Sequence, residues 1–281
     1  DLNNHDVTDT TRGVMTGWVD VTAYGAIPDT PTSDVVQERA NYDAICAAAA
    51  VAYGTNGNGP MVLWFPRKKN PDTPSGSGLN YRINMAHHGT HNGFRIYPGM
   101  TYRAAKGVSI KRTSAAAPAN GWNALFTTMP EGTAVGDFTN TTTVFDGLRF
   151  DCETTGTEGV SGISFVGQAW PDSARLLVRR CQFQSANGSN ATRYGIVASG
   201  ANNAESNVEV LVRECSFVGC SFAVYIAGGN AIVADCEIDM GYVSAGRSVT
   251  GIRVGGLRND HSAVVSNCKI GGWNFGTSVE I

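Results

Sequence analysis

The chain is short of charge and has no long apolar run. Charged residues make up 16% of its 281 positions and the net charge is −3. No block of five or more basic residues occurs, so the footprint of a nucleic-acid binder is missing. Nothing approaches the ~20 consecutive apolar residues of a membrane-crossing helix. The richest segment, residues 44–54, is short and built of small side chains. There is no visible signal peptide, no CxxC pair and no Cys/His spacing of a zinc site. The expectations are therefore no nucleic acid, no membrane, no metal and no cofactor. The first residue is Asp1 rather than Met, which reads as a processed or trimmed product.

Seven cysteines is an odd number, and they are scattered through apolar, strand-like stretches. A disulfide scaffold would place them in the loops of a small secreted domain. Buried reduced thiols are the expected state.

The chain divides into three parts. Residues 1–20 are polar and lack strong periodicity, as an arm or linker would, with a first strand near Trp18. Residues 21–66 open on the turn-rich "YGAIPDTPTSD". Ser33 and Asp34 then offer a helix N-cap, with Gln37 or Glu38 to complete a capping box, and the predicted helix, residues 33–53, stops at Gly54. The loop "TNGNGP" leads to a buried strand at 61–66. One helix against one strand cannot form its own domain, so this unit must cover something. From about residue 80 short apolar strands alternate with Gly, Asn and Ser, and no helical pattern recurs.

Self-similarity organises that last part. The phrases "TVFDGLRF", "LLVRRCQF", "VLVRECSF", "AIVADCEI" and "AVVSNCKI" align on Leu148, Cys181, Cys215, Cys236 and Cys268. A second strand phrase follows each, and the anchors stand 33, 34, 21 and 32 residues apart. Length varies at one point, between the two phrases, as it does where insertions map to loops on one face of a solenoid. A unit of two or three strands without a helix is the coil of a parallel β-helix. The fold class is thus an all-β solenoid preceded by an N-terminal α-helix, a single domain over residues 21–281 with regular coils from about residue 143. The anchor cysteines are expected to stack inside successive coils about 4.8 Å apart.

Parity within the phrase locates a bend. The anchor and the position two after it point inward by alternation. The residues one and two before it are polar, among them Arg179–Arg180 and Arg213–Glu214. Alternation breaks there, so the phrase turns a corner between two strands. Four before the anchor, facing outward, stand Val144, Leu177, Leu211, Ile232 and Val264. An aliphatic row on the outside of a solenoid fits a subunit interface along its axis.

The segment from Trp18 to Pro66 resembles the opening of the pectate-lyase-superfamily right-handed parallel β-helix proteins. Tyr24, Gly25, Ala26 and Asp29 match that family's opening stretch, and Phe65 and Pro66 its strand end. Thr30 stands where the family has Gly, and the usual run before the helix is thinned to Thr32, Ser33 and Asp34. The resemblance implies that the helix plugs the N-terminal end of the solenoid. With a polar N-terminal arm it is similar to phage tailspikes, which implies a homotrimer attached to a virion tail. The last phrase, "GTSVEI", ends in mid-strand, so the chain is expected to continue beyond residue 281.

Cleavage of a glycosidic bond uses two carboxylates, about 5–5.5 Å apart for retention and about 6.5–9.5 Å for inversion. Glu237 and Asp239, two apart on one strand face, make one candidate pair, and Asp151 with Glu153 another. Exposed carboxylates also serve a solenoid's solubility. The short turn "VGCS" at 218–221 lies between coils with long inserts, which predicts a notch near Tyr225 and Arg253. Those two, with Trp170 and Trp273, are the candidate groups for stacking on a sugar ring and holding an anionic substituent. "HHGTH" at 87–91 has no acidic neighbour and is expected to be solvated.

Three functions fit. The first is a virion tail component that binds host surface polysaccharide and could cleave it as an endo-acting depolymerase. The second is an extracellular polysaccharide lyase or glycoside hydrolase of the same fold, acting as a monomer. The third is a non-catalytic structural part of the virion. The outward aliphatic row favours an assembly. Leu177→Asp or Leu211→Asp is expected to dissociate it, read as a fall in particle mass by light scattering. A monomeric parent, or a variant of unchanged mass, would remove the interface.

Overall fold

The computed structural model describes residues 14–15, 17–30, 34–59, 61–68, 76–85, 93–113, 124–128, 138–152, 161–167, 174–185, 194–200, 208–242, 250–255, 262–273 and 277–280. Val14–Met15 (β1) pairs antiparallel with Trp18–Asp20 (β2), and Val35–Tyr53 forms helix α1. Coils of three strands follow. The first holds Val62–Phe65 (β3), Asn80–Ile83 (β4) and Phe94–Arg95 (β5). The second holds Thr101–Ala104 (β6), Ser109–Arg112 (β7) and Ala124–Thr127 (β8). The third holds Thr142–Asp146 (β9), Arg149–Cys152 (β10) and Ser161–Gly167 (β11). The fourth holds Ala174–Arg179 (β12), Gln182–Ser185 (β13) and Tyr194–Gly200 (β14). The fifth holds Val208–Arg213 (β15), Ser216–Val218 (β16) and Phe222–Ala227 (β17). The sixth holds Asn230–Ala234 (β18), Glu237–Tyr242 (β19) and Thr250–Gly255 (β20). The seventh holds Ala263–Ser266 (β21), Lys269–Trp273 (β22) and Thr277–Glu280 (β23).

From β3 onward each strand pairs in parallel with the strand three places along, which gives a β-solenoid of three sheets. Sheet I has nine described strands, running from β1 through β2 and β3 to β21. Sheet II, from β4 to β22, and sheet III, from β5 to β23, have seven each. Because β2 also pairs in parallel with β3, stacked parallel strands begin at Trp18, well before the cysteine phrases.

The first phrase of each repeat is two strands, one in sheet I and one in sheet II. The corner between them is a single residue with positive φ: Gly147 (74°), Arg180 (54°), Glu214 (53°), Asp235 (56°) and Asn267 (50°). That left-handed residue explains the break in alternation read from the sequence. Its N–H is not wasted. Gly147, Arg180, Glu214 and Asp235 donate to Arg179, Arg213, Ala234 and Ser266 of the next coil, at 3.1–3.2 Å. The hydrogen-bond ladder thus runs through the corner.

Inside, each row repeats from coil to coil. Cys181, Cys215, Cys236 and Cys268 are free thiols, continuing the row begun by Val108 and Leu148. Cys181, Cys215 and Cys236 are buried, and each Sγ donates to the carbonyl two residues earlier, at 3.1–3.3 Å. Beside them Phe150, Phe183 and Phe217 stack at centroid distances of 4.6 and 4.8 Å with nearly parallel planes. Those distances equal the strand spacing, so the coil repeat itself brings the rings into contact. The rings also explain two glycines: a Cβ on Gly162 or Gly195 would lie 2.6 Å from Phe183 or Phe217.

Helix α1 lies against the first coils. Asp34 caps it by accepting from Gln37 N at 2.9 Å, and Gly54 ends it. Its buried positions, Glu38, Asn41, Tyr42, Ile45, Ala48, Ala49 and Ala52, recur at helical spacing, and the alanines allow close approach. Tyr42 stacks on Phe94 at 5.0 Å and donates to Gly93 O. Glu38 pairs with Arg82 Nε at 2.9 Å and accepts from Thr113 Oγ1. The opening motif is structural. Gly25 takes φ 99° at the end of a short 3-10 turn, Val21–Tyr24. Asp29, itself at φ 52°, accepts from the backbone N–H groups of Gly78 and Asn80, which ties the segment to β4.

Asn41 links three segments of this cap. Its side chain accepts from Ile27 N at 2.8 Å and donates to Ile27 O at 2.9 Å and Arg82 O at 3.0 Å. It is fully buried. Asn41→Ala strips these backbone groups of their partner without admitting bulk water, and is expected to cost about 3 kcal/mol. Urea unfolding measures it; a loss under about 1 kcal/mol would mean the cap finds other partners.

Candidate functional site

The strand register sorts the candidate residues onto different sheets. Glu237 and Asp239 both point out of sheet II on β19, with Ile238 buried between them. They share one face of the strand, as their spacing predicts, with backbones about 6.5–7 Å apart. Lys269, opposite Glu237 on β22, places its Nζ 2.8 Å from Glu237 Oε1. That hydrogen bond and the charge of Glu237 push the exposed ammonium's pKa up, so it stays protonated. Any substrate group that uses Glu237 must accept the ammonium as a neighbour.

Asp151 stands in the same outward row as Asp239, separated from it by Gln184 and Val218. Three strand steps make about 14 Å, beyond either carboxylate separation that supports glycosidic cleavage. Asp151 is nearly buried, with Lys111 Nζ and Arg149 Nη2 each 4.0 Å from it. The structure therefore does not join Asp151 to the Glu237–Asp239 pair. Glu153 and Trp170 lie outside the described residues, as do "HHGTH" and residue 33. Trp273 ends β22 opposite Tyr242, and its side chain lies outside the description.

Tyr225 and Arg253 are neighbours on the outer face of sheet III. They are directly opposite on β17 and β20, and the guanidinium lies 5.7 Å from the ring centroid. Two further rings join them. Tyr194 on β14 stacks on Phe222 at 5.1 Å and meets Tyr225 at 5.5 Å. All four side chains are half-buried. The result is an aromatic platform with one cation at its edge. Flat rings pack against the apolar face of a sugar, and the guanidinium is a donor for a carboxylate or similar substituent.

Tyr194 and Phe222 were not picked out from sequence, although a signal existed. Aligning "YGIVASG" with "FAVYIAG" sets the two rings opposite each other. The tight turn at 219–221 joins sheet II to sheet III, and Gly219 N donates to Asp239 O at 2.8 Å. Glu237 and Asp239 thus lie on one side of this corner and the platform on the other. The five aliphatic residues Val144, Leu177, Leu211, Ile232 and Val264 form one continuous row along sheet I. The first four are half-buried and Val264 is 49% exposed.

Three of the thiols, Cys46, Cys215 and Cys236, are held protonated at neutral pH. Burial pushes Cys46 up to about 11 and holds Cys215 well above the ordinary thiol value. The hydrogen bond to Cys215 and then burial raise Cys236. A protonated, buried thiol neither attacks nor binds metal readily. No family model, curated protein or solved structure matches the chain. In native protein at pH 7, Cys181, Cys215 and Cys236 are expected to resist an aromatic disulfide reagent and to react fully in denaturant. Native labelling of Cys215 on the timescale of a free thiol would contradict their place in the core.

Proposed function

We propose that this chain is a right-handed parallel β-helix protein of the phage tailspike type, a homotrimer on a virion tail that binds host surface polysaccharide. The observation that carries the binding is the platform of Tyr194, Phe222 and Tyr225 with Arg253 at its edge. Three rings and a guanidinium on the outside of a sheet serve no interior packing, and their chemistry suits a sugar with an anionic substituent. The three-sheet parallel solenoid and its N-terminal helix support the β-helix assignment. The aliphatic row on sheet I supports assembly, because it offers a second copy a continuous apolar strip.

Cleavage, as an endo-acting depolymerase, is assigned to Glu237 and Asp239. The pair is exposed, lies across one corner from the platform, and is spaced for acid and base roles on a single chain.

Binding and cleavage are tested separately on isolated host-surface polysaccharide. Tyr225→Ala is expected to weaken binding about tenfold by titration calorimetry, from the loss of ring contact. Glu237→Gln with Asp239→Asn is expected to slow the fall in polymer viscosity about a hundredfold or more while binding persists. Undiminished binding by the first variant removes the platform from the site. Undiminished cleavage by the second moves the chemistry elsewhere.

A further inference from the structure

A second cluster of charge lies at the edge of sheet I, one outward position beyond the aliphatic row Val144, Leu177 and Leu211 and at the rim of the proposed contact with a second copy, away from the platform and the carboxylate pair. Asp146, at the end of β9, points outward yet is only 2% exposed. Guanidinium groups cover it. Arg180 binds it through Nε at 2.9 Å to Oδ1 and through Nη2 at 2.6 and 2.7 Å to Oδ1 and Oδ2. Arg179 Nη2 donates to Oδ2 at 3.1 Å, and Arg103 Nε stands 3.6 Å from the same oxygen. The left-handed backbone at Arg180 belongs to the corner, and from it the side chain reaches the carboxylate of the preceding coil.

One carboxylate does not balance this group. Arg213 lies directly opposite Arg179 in the strand register, about 4.8 Å away at the backbone, and makes no ion pair among the described residues. Glu214, the next residue of the corner row, is a second acid acting on Arg180, and Asp235 follows it one coil on. Four guanidinium groups (Arg103, Arg179, Arg180, Arg213) against three carboxylates (Asp146, Glu214, Asp235) leave an excess of one positive charge, in a chain whose net charge is −3. Arg103, Arg179 and Arg180 are 37%, 46% and 51% exposed, so donors not spent on Asp146 face solvent. Adjacent like charges on neighbouring strands are unfavourable unless an anion lies between them. Beside them, Arg103 lies over the ring of Trp18 at 5.2 Å, and Trp18 meets Trp64 at 5.0 Å, both rings half-buried.

We infer that this patch is a second polysaccharide-binding site, selective for sugar units that carry a carboxylate. Asp146 acts as a positioning residue: it fixes Arg179 and Arg180 so that their free N–H groups converge with those of Arg213 on one anionic group. A planar carboxylate matches the planar donor fork of each guanidinium, and the Trp18–Trp64 pair offers ring faces to the sugar. The anion preference follows from the charge count; that the anion belongs to a saccharide rests on the proposed function.

The test is affinity electrophoresis of the intact protein in native gels holding alginate, a uronate polymer, or dextran, an uncharged one. Alginate is expected to retard the parent protein and dextran not, with the retardation fading as salt is raised. Arg179→Gln with Arg213→Gln leaves the Arg180–Asp146 pair in place and is expected to weaken the alginate interaction about tenfold. Arg39→Glu, an equal change of two charge units on the outside of α1, is expected to leave it unchanged. Equal weakening by Arg39→Glu would reduce the effect to net charge and overturn the site. So would full alginate retardation in the double variant, or none in the parent. If the double variant instead lowers the particle mass in sedimentation, the patch is a contact with a second copy and the inference fails. Loss of alginate binding only on replacing Tyr225 would leave the platform standing and remove this patch.

Discussion

The structure depends on one repeated corner. At the point where each coil leaves sheet I for sheet II, a single residue takes a left-handed conformation, and its N–H still reaches the next coil. Because the corner is the same length in five successive coils, the strands on both sides stay in register. Every inward row then becomes a stack: thiol on thiol, and phenyl on phenyl at strand spacing. A left-handed residue other than glycine is strained, and four of the five corners are not glycine. The polar side chains at those corners recover part of that cost. Arg180 chelates Asp146, and Asn267 donates to Asp235 Oδ1 at 2.6 Å.

Much of this was legible because cysteine and phenylalanine mark equivalent points in the chain. Alternation, its break before each cysteine and the outward aliphatic row all follow from residue order. The coils between Val62 and Thr127 were not recovered, for a physical reason. Between β6 and β7 the corner is the longer stretch Ala105–Val108, with Gly107 at φ 83°, so Val108 occupies the anchor row while the residues before it fall out of step. Between β3 and β4 the chain travels still further. An alignment without gaps cannot follow a row through corners of unequal length. The helix was readable from its cap and its alanines, whereas the burial of Glu38 was not. A carboxylate at a helical position reads as solvent-facing until Arg82 and Thr113 are known to meet it.

The candidate site shows the same limit. Period-two alternation shows that Glu237, Asp239, Tyr225 and Arg253 each face outward. It carries no information on the angle between two sheets, so it cannot tell that the acids and the rings lie on opposite sides of a corner. Asp151 and Asp239 hold the same outward position of units that the anchors already set three apart, and the register turns that separation into a distance. In sequence the Arg179–Arg180 pair marks only a bend. Its partner Asp146 sits in the preceding coil, thirty-odd residues away in sequence, at the matching end of β9.

The outer face of sheet II has a consequence of another kind. One of its rows runs Asn80, Ser109, Arg149, Gln182, Ser216, Glu237, Lys269, at one residue per coil. The backbone is periodic along the axis, but the chemistry is not. A linear polymer laid along this face could slide by one coil and find identical geometry, yet it would meet a changed side chain at each step. Under the proposed function the surface would work as a graduated scale rather than a rail. The backbone repeat sets the spacing of the marks, the residue at one position per coil sets their identity, and the length of the loops at the far corner leaves both unchanged.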